Sequence, residues 1–149
     1  MSVTILVLAD VTRRWTESLV LEYARRATPP DGDVDETAAA ILVDADSEAL
    51  SYLSGRYPGD VLTEAALVGA AVLKQHTAAL AMYQLASRIH DQVDVKIINA
   101  RVDAIAWLRD VAAGRASLGL TTAPAYDITR PEILSARTAD DLVMEEALD

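Results

Sequence analysis

Between Ala65 and Ser87 the chain runs for 23 residues with one formal charge, Lys74. A stretch of that length and polarity either crosses a bilayer or needs protein on nearly every side. Lys74, Gln75, His76, Thr77 and Gln84 interrupt it at a cost that hydrocarbon would not offset, so the expectation is a helix at the centre of a helical body and no membrane contact. The remaining segments must then provide helices with one apolar face each.

Local signals place those helices. Asp10 is positioned to cap Val11 to Trp15, and Thr16 to cap Glu17 to Arg25, giving two short helices between Leu8 and Arg26. The Thr28-Pro29-Pro30-Asp31-Gly32-Asp33 segment stops any helix, since two prolines remove amide donors and Gly32 frees the turn. Asp33 or Asp35 caps a long helix expected to end at Gly55, with Ala38, Ile41, Leu42, Ala45, Ala49, Tyr52 and Leu53 on its core face. After the Pro58-Gly59-Asp60 turn, Thr63 and Glu64 are expected to open a third long helix of about six turns. From Asp94, the stripe Ile98, Val102, Ile105, Leu108 and Ala112 predicts another helix, capped at its end by Gly114. The fold class expected is all-α, a bundle of about four to five helices. The body spans residues 1–117, and an extended C-terminal arm with a short terminal helix spans 118–149.

With 149 residues the chain suits one domain. Met1 to Ala9 lacks the basic start of a secretory signal, so the chain is expected to begin at Met1. Cysteine is absent, which removes disulfides, thiolate metal sites and thiol nucleophiles. The net charge of −10 argues against gripping nucleic-acid phosphates. Its excess is local: Asp31 to Asp60 carries eight acidic side chains against one basic, and Asp127 to Asp149 carries seven against two.

Motifs for chemistry are missing. Neither phosphate-binding glycine pattern occurs, and Gly114 to Gly119 reads G-x-x-S-x-G, one residue off the spacing of a nucleophile elbow. Asp31 to Glu36 imitates the start of a calcium loop but places Glu36 where the turn glycine belongs and Leu42 where the bidentate Glu belongs. His76 and His90, 14 positions apart, read as structural. Carboxylate pairs abound, yet none falls inside an otherwise apolar stretch that would raise a pKa for acid–base work. No enzyme, cofactor or metal is expected.

Four segments carry a resemblance: Asp10 to Trp15, the Asp31-Gly32-Asp33 loop, Ala45 through Tyr52-Leu53-Ser54-Gly55-Arg56-Tyr57, and Ala106-Trp107-Leu108 through Ala112-Ala113-Gly114. Together they resemble the gene product 36 family of Mu-like phages and prophages over about Leu8 to Leu120. That family is regarded as small helical head-to-tail joining proteins. The motif residues Tyr52, Leu53, Gly55, Arg56, Tyr57, Trp107 and Gly114 also have plain readings as core and capping groups, with Gly55 left-handed at a helix end and Trp107 either core or interface.

The resemblance implies a neck adaptor of the virion, assembled in the host cytoplasm. About a dozen copies would form a ring under the portal protein, above a stopper or tail-completion protein, and continue the DNA channel without sequence-specific binding. An acidic wall repels phosphate and lets DNA slide, so Asp31, Asp33, Asp35, Glu36, Asp44 and Asp46 are candidates to face that channel. Leu118, Leu120, Tyr126, Ile128, Ile133, Leu134 and Leu142 are candidate arm contacts with portal or neighbouring subunits. The alternative is a small cytoplasmic helical module whose acidic face binds a basic partner or regulates by mimicking nucleic acid.

Overall fold

A computed structural model describes residues 3–63, 67, 70–89 and 92–120. Among them are five helices and no strand: α1 (Leu8–Arg14), α2 (Glu17–Ala27), α3 (Val34–Leu53), α4 (Ala71–Ser87) and α5 (Val95–Ala112). The fold is all-α.

α4 is the centre. All four other helices pack on it, α5 most extensively. Leu73, Thr77, Ala78, Ala79, Leu80, Ala81, Met82, Leu85 and Ala86 are buried, a spread around the helix that a one-faced helix would not show. Thr77 is the polar member, and its hydroxyl donates to Leu73 O at 2.8 Å, so it needs no outside partner. No described helix is long and apolar enough to cross a membrane. α4 opens at Ala71, eight residues after the expected start at Thr63; Glu64 to Ala66 lie outside the described residues.

The ends of the other helices follow their caps. α1 begins after Val7, with Asp10 inside the first turn accepting from Val7 N at 3.1 Å; the expectation that Asp10 precedes the helix is corrected. Thr16 stands before α2 as expected but caps without a side-chain bond. Asp33 caps α3, its Oδ1 accepting from Asp35 N at 2.7 Å and Glu36 N at 3.3 Å. Asp33→Ala leaves those two amides to water and should lower stability by about 1 kcal/mol in urea unfolding, whereas Asp35→Ala should change it by less than half of that.

α3 stops at Leu53, and Gly55 is not left-handed: the chain turns again, with Arg56 N and Tyr57 N donating to Leu53 O at 3.0 and 2.9 Å. Asp94 caps α5 through Lys96 N at 2.7 Å, and Gly114 (φ +81) ends its turn as expected. The core stripe of α5 is Ile97, Ala100, Ala104, Leu108 and Val111. Of the predicted stripe, Leu108 is buried while Ile98 and Val102 face outward. α5 carries two apolar stripes at helical spacing, and the one with small Ala100 and Ala104, which permits the closer approach to neighbouring helices, is turned inward.

Candidate functional site

Two of the four segments that carry the resemblance, the motif ending at Tyr57 and the motif ending at Gly114, meet in space. Arg56 leaves the turn after α3 and its Nη1 donates to Val111 O at 2.7 Å, capping the last turn of a helix 55 positions away. Its guanidinium also lies over the Tyr57 ring at 5.4 Å, and Tyr57 is buried. Gly114 makes room: a Cβ there would sit 2.9 Å from Arg56 Nη1. Leu53 is fully buried, Tyr52 packs on the core from its edge, and Trp107 stacks on His76 with centroids 4.6 Å apart. Burial, then the nearby Arg14 charge, hold His76 below its ordinary pKa, so the stack is neutral at neutral pH. His90 lies outside the described residues.

A second junction is acidic. Asp46 is 5% exposed, and its carboxylate accepts from Ile5 N at 2.9 Å and Leu6 N at 3.2 Å. It thereby clamps the extended N-terminal segment onto α3. Burial pushes its pKa up to about 6 against the lowering effect of those amides, with Asp10 adding to the rise. One expectation falls here: buried beneath the N-terminal segment, Asp46 cannot face a channel. Spacing carried the signal, because Leu42, Asp46, Ala49 and Leu53 recur at helical intervals on one stripe.

Sequence spacing gave no hint of Glu48. Its Oε2 accepts from Gln84 Nε2 at 2.9 Å and its Oε1 from Arg101 Nη2 at 3.2 Å, while Arg101 covers the Tyr83 ring at 4.5 Å. These groups tie α3, α4 and α5 together. No short motif foretells them, since each partner comes from a different helix.

The sequence from residue 6 to residue 133 matches the family described as Bacteriophage Mu, Gp36. That span begins at Leu6, whose amide Asp46 holds, and takes in all five helices and both motifs. The chain belongs to the bacteriophage Mu Gp36 family. A search of the curated proteins and of the solved structures finds no match. As a Mu Gp36 family member it is a phage protein.

Of the acidic candidates, Asp31 and Asp33 are exposed in the α2–α3 turn and Asp35 and Glu36 in the first turn of α3, with Asp33 engaged as a cap. Asp44 is exposed but pairs with Arg88 at 3.3 Å. The arm candidates divide. Leu118 is 5% exposed within the core cluster and Leu120 packs against it, so both belong to the body, which therefore extends past residue 117. Tyr126, Ile128, Ile133, Leu134 and Leu142 lie outside the described residues. Beside α1 and α4, an open cleft of about 440 Å³ is lined by Asp10, Arg13, Arg14, Ala71, Lys74 and Gln75. Lys74 pairs with Asp10 at 3.4 Å and Arg14 Nη1 donates to Gln75 O at 3.1 Å, so much of that charge is spent on joining α1 to α4. The internal polar groups hold elements together, while the acidic α2–α3 turn and several apolar side chains of the Mu Gp36 body face outward.

Proposed function

We propose that this chain is a structural protein of the virion neck, an adaptor whose copies form a ring of about a dozen under the portal and continue the DNA channel toward the tail. Membership of the Mu Gp36 family carries the reading. A small body whose interior polar groups bond one helix to another suits a rigid ring subunit rather than an enzyme. In the ring, Asp31, Asp33 and Asp35 turn their charge toward the channel, where like charge keeps phosphate from sticking. Residues after Leu120 reach the portal or the next subunit.

Electron microscopy of the native neck tests this. A ring around a DNA-wide channel, with the α2–α3 turn at its inner wall, is the expected image. A compact dimer without a channel, or that turn on the outer rim, overturns the adaptor or the acidic wall respectively. Deleting residues 121–149 should leave the helical melting transition in place while abolishing joining of heads to tails. A truncated chain that still joins them removes the arm from the proposal.

A further inference from the structure

α5 exposes a second apolar stripe on the side away from its core stripe. Val95 is 67% exposed, Ile98 39% and Val102 58%, and on the same line seven residues after Val102 stands Arg109, exposed and without an ion pair among the described residues. Three large apolar side chains in a row on one helix face form a contiguous patch, the kind of surface through which proteins associate.

The same chain carries a surface that fits it. Between the N-terminal segment and α3 lies an open cleft of about 350 Å³, lined mainly by Val3, Leu6, Ala39, Leu42, Val43 and Leu50. Val43, at 57% exposure, stands on its rim. Seven residues before Val43, on the same line of α3, is Glu36, exposed and without an ion pair among the described residues; seven after it is Leu50. Seven residues are close to two helical turns, or about 10 Å.

We propose that the outer stripe of α5 seats antiparallel in the α3 cleft of a second copy of this chain. With Val102 opposite Val43, the equal spacing brings Arg109 to Glu36 at one end and Val95 to Leu50 at the other. Ile98 then meets small Ser47, and Ala106 meets Ala39, so the backbones can approach closely. An apolar centre with one cation meeting one carboxylate sets both the register and the direction. The two surfaces share no residue, so the contact is head-to-tail: each copy offers a stripe to one neighbour and a cleft to the other, and a contact of this kind closes into a ring when the rotation allows. Glu36 thus belongs to the seam between subunits and not to the channel wall. The inference rests on the ring reading above and names its subunit contact.

The absence of cysteine makes the test direct. The full-length double variant Val43→Cys/Val102→Cys, oxidised in the assembled state, should give a ladder of covalent multimers on a non-reducing gel. Either single variant should give none. Arg109→Glu and Glu36→Arg should each cut the cross-linked yield of the double-cysteine chain at least tenfold, and the two together should restore most of it. Rings visible by microscopy without a ladder overturn this contact while leaving the adaptor reading intact. Dimers from Val102→Cys alone would mean that stripe meets stripe, and they overturn it as well. Native necks in which the chain forms no ring overturn the adaptor reading and this contact with it.

Discussion

Asp46→Ala should lower stability by about 3 kcal/mol at pH 7 and release the N-terminal segment from α3. Two amides on residues that are themselves buried, Ile5 and Leu6, lose a charged acceptor, and each unpaired buried donor costs about 1–3 kcal/mol. Relief from keeping a carboxylate out of water offsets part of this. Urea unfolding measures the loss, and hydrogen exchange at Ile5 and Leu6 should quicken well beyond the global change. An unchanged midpoint with both amides still protected would show that the clamp contributes nothing.

The same group predicts a pH dependence of definite sign. Its pKa is raised from 3.8 to about 6 in the folded chain, so between those values the folded state binds the proton more tightly than the unfolded state. Stability contributed by Asp46 therefore rises as pH falls from about 6 toward 4, opposite to the usual behaviour of a paired carboxylate. Across that window each pH unit is worth about 1.4 kcal/mol, so wild type should gain about 2 kcal/mol on Asp46→Asn between about pH 7 and about pH 4.5. A constant difference across that range would contradict the burial argument.

Gly114→Ala is the second large effect, expected at about 2–3 kcal/mol. A side chain at φ +81 costs about 1–2 kcal/mol in the left-handed region. The added Cβ also meets Arg56 Nη1 at 2.9 Å and pushes the guanidinium off Val111 O. Arg56→Ala alone should cost about 1–2 kcal/mol, since it removes a charge-assisted bond at a partly buried helix end. The double variant settles whether the two act through one contact. Once Arg56 is gone only the backbone penalty at Gly114 remains, so the double loss should fall short of the summed single losses by about 1 kcal/mol. Strict additivity would place the whole Gly114 effect in the backbone.

The family was legible in the sequence because its motifs are short and local, and the structure shows why they travel together: Arg56 of one reaches Val111, three residues before Gly114 of the other. Sequence spacing could propose that Arg56 caps a carbonyl. It could not say that the carbonyl belongs to α5 rather than α3. The same limit applies to Glu48, whose partners Gln84 and Arg101 lie on two other helices.

Several features were set by sequence alone: the all-α class, the buried central helix, the Asp33 and Asp94 caps, and the break at Pro29-Pro30. These depend on residues within a turn or two of each other, or on apolarity all around one helix, so local energetics decide them. Tertiary structure decided which stripe of α5 points inward, that Glu48 meets Gln84 and Arg101, and that Leu118 belongs to the body. A helical period gives the angle between residues and says nothing of the helix's rotation about its own axis. That rotation is chosen by the packing of the whole body, which buries Ala100 and Ala104 and leaves Ile98 and Val102 outside.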